Sequence, residues 1–223
     1  MTAWGHIGGI PGTVYLIYLS EPRGDRRFCF GRIERMKMIR LETERLLLRT
    51  VRDGDAPAIY AYRSGADVGK YQTRYRRLAD ARRLIKRVRG IALNTPNTWH
   101  QLAVLEKSGG GLIGDLGMHF TGKENRQAEI AYTIAPEYQG KGYATEAVLG
   151  MMGFLFGKLR KHRLVATADP RNKRSITLME RVGMRREGYF KKSFWTGTEW
   201  TDDVLYALLK EDWPAIKTKK KLR

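Results

Sequence analysis

The 223-residue chain has one cysteine, Cys29. A single thiol excludes an internal disulfide and a thiolate metal cluster. A reducing cytoplasm is the expected setting. Long apolar runs are also missing. No stretch of about 18 apolar residues occurs, so no membrane-spanning helix and no membrane partner are expected. The run VYLIYL at 14–19 is short and follows no Lys or Arg, which argues against a secretory leader. His100, His119 and His162 are scattered without metal-ligand spacing, so they are assigned to structure and no metal is expected. Acid is the scarcer charge: 23 Asp and Glu stand against 42 Lys and Arg, a net +19.

That surplus is uneven. Residues 1–40 carry +4, the stretch PAIKTKKKLR from Pro214 carries +5, and residues 41–213 keep +10. A basic field attracts phosphate-rich partners: nucleic acid, the ribosome or an anionic cofactor. A solvated, lysine-rich tail is the plainer account of the C-terminus.

Residues 1–37 show no sustained period and are expected to be a poorly ordered extension, or to precede the true start at Met36 or Met38. The orderly domain is expected over 38–213, with a basic tail over 214–223. RLLLRTV (45–51) reads as a strand, and Asp53 reads as a helix N-cap. LADARRLIKRVRGIAL (78–93) has the spacing of an amphipathic helix. WHQLAVLE, GLIGDLGMHF and QAEIAYTI, joined by turn sequences, read as an antiparallel meander. A long apolar helix follows from about residue 142. HRLVATAD reads as a strand, and 172–183 reads as a helix capped by Asn172 and stopped by Gly183. Two last strands flank a turn at Thr196–Gly197. The order predicts one mixed α/β domain.

The stretch PEYQGKGYATEA (136–147) puts two glycines around Lys141 where a helix begins. The first N–H groups of a helix lack internal partners and carry the positive end of its dipole. Bare backbone at 140 and 142 lets an anion approach them. A P-loop is excluded because Gly142 is followed by Tyr143, not Lys. A dinucleotide fingerprint is excluded because Thr145 stands where its third glycine belongs.

Gln139-Gly140-Lys141-Gly142-Tyr143-Ala144 resembles the Q/R-x-x-G-x-G/A signature of the GNAT superfamily of acetyl-CoA-dependent N-acetyltransferases. NKRSITLMERVGMRREG is similar to that family's N-x-x-S segment. LETERLLLR and GTEWTDDVLYALLKEDW look like the first strand and closing hairpin of its ribosomal-protein alanine acetyltransferase (RimJ/RimL-type) branch. The resemblance covers about residues 39–213. It implies a GNAT fold: a mostly antiparallel sheet of six to seven strands flanked by about four helices. It implies acetyl-CoA in a gap between the family's fourth and fifth strands, its pyrophosphate on the amides of Gln139, Gly140, Lys141, Gly142, Tyr143 and Ala144. Asn172 would lie beside the pantetheine arm. Arg171, Lys173 and Arg174 are candidates for the 3′-phosphate or are solvated surface. An amide near Ile134 would meet an oxyanion.

Acetyl transfer needs a base for the ammonium, an oxyanion donor and an acid for the thiolate. The family's frequent tyrosine acid, seven residues past the asparagine, is Met179 here. Ser175, three residues past it, is the candidate acid, or is a plain helix serine. Glu129 is the candidate base, or is an ion-paired strand carboxylate. A further branch glutamate would fall near Phe194 and is absent. The acceptor is a primary amine: a protein N-terminus, as on a ribosomal protein, or a small amine such as an amino acid, polyamine or aminoglycoside. The competing reading is a non-catalytic basic module that binds RNA or the ribosome, or that senses CoA. Monomer and homodimer stay open.

Overall fold

The computed structural model describes residues 39–72, 74–196 and 199–216. The expected extension at 1–37, Cys29 within it, Gly197 and the tail from 217 lie outside the described residues.

The described residues open with the hairpin β1 (Arg40–Glu42) and β2 (Leu46–Thr50). A 3-10 turn at Asp53–Asp55 leads into α1 (Ala56–Arg63), the single turn α2 (Ala66–Gly69) and α3 (Leu78–Val88). The meander is β3 (Trp99–Glu106), β4 (Leu112–Thr121) and β5 (Gln127–Ile134). Next come α4 (Tyr143–Gly157), β6 (Arg163–Ala168), α5 (Lys173–Arg181), β7 (Arg185–Trp195) and β8 (Trp200–Leu209). Among the described residues they build one eight-stranded sheet in the order β1-β2-β3-β4-β5-β6-β8-β7.

The expected six to seven strands become eight because LETERLLLR is two strands, not one. The chain reverses at Thr43, whose hydroxyl accepts from the amide of Leu46, and Leu41 pairs with Leu48. Asp53 is not the cap of α1. It opens the 3-10 turn, and the Asp55 carboxylate accepts the Arg52 amide at 2.7 Å and pairs with Arg49.

Strand alternation gives the sheet two apolar faces, and each has its helices. α4 is apolar all round and therefore sinks into the larger core: Ala147, Val148, Met151 and Leu155 pack with Leu48, Leu102, Leu116 and Met118. On the opposite face, Ile59 of α1 and Ala81, Ile85 and Val88 of α3 form a second core with Val51 and Ala103. α3 shows its charged face to solvent, as its spacing requires.

One pairing is different in kind. β5 and β6 are parallel and pair only at Gln127–Arg163, Ala128–Leu164 and Glu129–Val165. Beyond Glu129 they diverge, while β5 stays paired with β4 as far as Ile134 and β6 stays paired with β8 as far as Ala168. The sheet therefore splits in its middle.

Candidate active site

A cavity of about 1320 Å³ opens along the split, walled by β5, the ends of β6 and α5, and the α1–α3 segment. Its β5 edge can be derived from register. Ala135 N donates to Ile113 O at 2.9 Å, so 113 and 135 form a bonded pair. Alternation along an antiparallel ladder then turns the main-chain groups of Tyr132 and Ile134 away from β4 and into the split. Two side-chain amides cap the carbonyls there. Gln139 Nε2 donates to Ile134 O at 2.8 Å, and Gln72 Nε2 donates to Tyr132 O at 3.2 Å. The N–H of Ile134 faces the gap, where sequence reasoning wanted a donor.

Gln72 is itself held. Its Oε1 accepts from the Thr133 hydroxyl at 2.8 Å and from Arg63 Nη1 at 3.4 Å. Arg63 grips the fully buried Asp115 of β4, which also accepts from Gln101 and the Tyr62 hydroxyl. This buried network fixes α1, and with it the segment that carries Gln72, against the sheet.

At one end of the split lies the 139–144 loop. Gly140 and Gly142 have φ of +77° and +81°, so the backbone itself asks for glycine, quite apart from any ligand. A Cβ at Gly140 would meet open space, and one at Gly142 would come 3.4 Å from Arg45 Nη2. The first intrahelical bond of α4 runs from Glu146 N to Gly142 O, so the amides of Tyr143, Ala144 and Thr145 precede it. Gln139 Oε1 accepts from Arg174 Nη1 at 2.9 Å, which brings a cation from α5 to the loop. Arg171 is spent on Asp169, at 2.6 Å, and Lys173 is exposed. The Lys141 ammonium lies over the Tyr138 ring at 5.3 Å. The Tyr143 side chain turns away to Glu106, beneath the Arg45 guanidinium.

Asn172 caps α5: its Oδ1 accepts from Ser175 N at 3.1 Å. That cap sets Ser175 in the first turn, facing the cavity. Ser175 Oγ lies 2.7 Å from the hydroxyl of Tyr132, which sequence reasoning did not single out. Burial pushes the Tyr132 phenol up to about 12 although the Ser175 bond opposes this, so it keeps its proton at neutral pH. Met179, which stands where the resemblance looks for a tyrosine, is a core residue at 1% exposure.

The other wall is acidic. Glu129 is buried to 6% exposure, and its carboxylate accepts no hydrogen bond among the described residues. Its neighbour is His119, its register partner on β4, with Nδ1 3.7 Å from Oε2. His119 Nδ1 is buried without a hydrogen bond and its ring stacks on Trp99 at 4.8 Å. Thus His119, assigned to structure from sequence, lies against Glu129, although it is not part of the cavity lining. Asp203 of β8 and Asp169 complete the wall. Burial pushes the Asp203 carboxyl up to about 6, and the charges of Asp169 and Glu129 add to this. Only cross-strand register reveals His119 and Asp203 here, and no local motif marks them. Among the described residues, no cluster of three or more His, Cys, Asp or Glu is placed to hold a metal, and no helix is long and apolar enough to cross a membrane.

The geometry thus offers an amide cradle at one end, an unbonded carboxylate at the other, and a hydroxyl pair between. Known proteins are similar to this chain over most of its length. Residues 45–185 match the family described as the acetyltransferase (GNAT) domain. An uncharacterized N-acetyltransferase of Bacillus subtilis, YnaD, is 34% identical over 174 residues, 78% of this chain and 98% of its own. The [ribosomal protein uS5]-alanine N-acetyltransferase of Escherichia coli is 28% identical, over 82% of this chain and 97% of its own. The crystal structure of a GNAT-family acetyltransferase from Bacillus anthracis superposes with a TM-score of 0.70 at 34% identity, covering 78% and 99% of the two chains.

Proposed function

From the premise that this chain belongs to the GNAT acetyltransferase family, and is an N-acetyltransferase, we propose that it moves the acetyl group of acetyl-CoA to a protein N-terminal amine, with a ribosomal protein as the first acceptor to try. The observation that carries this is the split between β5 and β6. It has donors along one edge and at one end, and a buried, unbonded carboxylate at the other.

The residues fit the co-substrate. Left-handed glycines at 140 and 142 leave the loop amides bare, and Arg174 adds positive charge beside them. Gln139, Gly140, Lys141, Gly142, Tyr143 and Ala144 would hold the pyrophosphate, with Asn172 beside the arm. Acetyl-CoA, when bound, supplies an activated thioester. The remaining work falls to side chains and one amide of this chain. Glu129 takes the proton of the incoming ammonium, with His119 as the nearest group to pass it on. The N–H of Ile134 is the donor available to a carbonyl oxygen held in the split. Ser175, backed by the protonated Tyr132, gives a proton to the departing sulfur. An α-amine, with a pKa of roughly 8, is easier to deprotonate than a lysine at about 10.4, which favours an N-terminus at a site of modest bases.

The test is thiol release from acetyl-CoA with a peptide matching a ribosomal-protein N-terminus. A blocked N-terminus and spermidine serve as the comparison acceptors. Release that needs the free α-amine supports the reading. Release with spermidine alone removes the protein acceptor, and no release with any amine removes the reaction.

A further inference from the structure

The positive charge of the domain is concentrated in one place. Residues 70–89, KYQTRYRRLADARRLIKRVR, hold nine Lys and Arg and a single acid, Asp80. This segment alone carries +8, against +10 for the whole of 41–213. All nine cations are exposed. Arg83 pairs with Asp80 and Arg89 with Asp53, and the other seven make no ion pair among the described residues. Spending so many like charges on one short surface costs self-repulsion unless an anion covers it.

Its position gives it meaning. Lys70, Arg74, Arg76, Arg77, Arg83 and Arg87 form the α1–α3 wall of the active-site cavity, opposite Glu129, Asp169 and Asp203. The mouth is therefore positive and the floor negative. A free polyamine is repelled at the mouth before it can reach the floor. A polyanion that carries an amine matches both.

From this the geometry points to a docking surface for the phosphate backbone of RNA, formed by α3 and the residues before it. An amine borne by or bound beside that RNA enters the cavity. RNA is favoured over an acidic peptide on two grounds. The cations run along an eleven-residue helix, about 16 Å, and continue into the residues before it, enough to follow several phosphates. Tyr71 and Tyr75 are interleaved with them, with the Lys70 ammonium 5.3 Å from the Tyr71 ring, as in surfaces that stack bases between cations. The surface rests on the placement of its charges and tyrosines, whereas delivery of an amine through it rests on the proposed function.

The test uses the full chain and a labelled single-stranded RNA of about 20 nucleotides, followed by fluorescence anisotropy between about 50 and 200 mM salt. A polyglutamate of similar length is the competitor. In the rim variant Arg76→Glu/Lys86→Glu/Arg87→Glu, affinity should fall on the order of 30-fold and the salt slope should flatten by about 2. A milder variant, Arg82→Gln/Arg87→Gln, should lose several-fold, so that a misfolded reversal cannot decide the matter. Neutralising Lys217, Lys219, Lys220 and Lys221 should change affinity less than about 3-fold. The proposal is overturned if both rim variants bind as the wild type does. Loss of binding with the tail lysines, or polyglutamate binding as tightly as RNA, also overturns it. No acetyl-CoA is present in this assay, so its failure is read apart from any failure of acetyl transfer.

Discussion

Tyr132 of β5 and Ser175 of α5 meet hydroxyl to hydroxyl at 2.7 Å across the split. The contact ties β5 to the first turn of α5 across the cavity. Tyr132 OH also lies 3.2 Å from the Ser175 carbonyl oxygen, so the phenol has two acceptors and the serine is oriented by its partner. If the pair hands a proton to the sulfur, Ser175→Ala should lower kcat by about 10- to 100-fold with the Kd for acetyl-CoA changed less than about 3-fold. Tyr132→Phe should lower kcat by a similar factor, and the double variant should be little worse than either alone. Steady-state kinetics with a calorimetric Kd decides it. Additive losses, or unchanged kcat in Ser175→Ala, remove the pair from the chemistry.

How much of this was legible beforehand follows from sequence distance. The 139–144 loop and the Asn172–Ser175 cap are local, so residue type and spacing announce them. The cores of α3 and α4 were legible for the same reason. The Tyr132–Ser175, His119–Glu129 and Gln72–Thr133 pairs join residues 43, 10 and 61 positions apart. Each depends on strand register or on how a loop docks, which no local pattern encodes. The missed hairpin is similar. Its turn at Thr43-Glu44-Arg45 lacks Gly, Pro or Asn and is held by Glu146, which Thr43 Oγ1 reaches at 2.6 Å from 103 positions away.

The cradle is tested by substitution at its second glycine. Gly142→Glu puts a side chain and a negative charge where bare amides stand, and should abolish measurable acetyl-CoA binding. Left-handed backbone alone costs a non-glycine residue about 1–2 kcal/mol, which Gly142→Ala isolates. The alanine variant should melt lower but bind at least about 10-fold more tightly than the glutamate variant. Equal affinity of Gly142→Glu and wild type by calorimetry would falsify the assignment of this loop.

Glu146 ties the start of α4 to the first hairpin, accepting from Thr43 Oγ1 at 2.6 Å, Arg45 N at 2.7 Å and Arg45 Nε at 2.7 Å. Burial pushes its carboxyl up, but the bonds from Thr43 and Arg45 outweigh this and hold it below the ordinary range. A depressed carboxyl stabilises the fold above its unfolded value, near 4.3, and that contribution is lost as pH falls through the folded value. Glu146→Gln should therefore cost about 1–2 kcal/mol at pH 7, and the gap from wild type should close below about pH 4. Urea unfolding at the two pH values measures it. A gap that stays constant into acid would mean that the charge on Glu146 contributes nothing.

Asp203 sets function against stability in the opposite direction. Its carboxyl is pushed up to about 6 by burial, with Asp169 and Glu129 adding to the effect. Between roughly pH 4 and 6 the folded state binds the extra proton, so stability falls as pH rises through that window. At pH 7 the folded protein carries the cost of a crowded, half-buried carboxylate, reduced by solvent screening. Asp203→Asn should remove that cost and stabilise the fold by about 1 kcal/mol at pH 7, with no gain below pH 4. If the same charge draws an ammonium to the acidic wall, a second effect follows. The variant should therefore lose about 10-fold or more in kcat/KM for the amine, mainly through KM, while acetyl-CoA affinity holds. The acidic limb of the pH–rate profile near pH 6 should also move. Thermal melts and pH–rate profiles of the same preparations supply both halves. A variant that is less stable at pH 7, or one that keeps both its amine KM and its acidic limb, would leave Asp203 no part in receiving the acceptor.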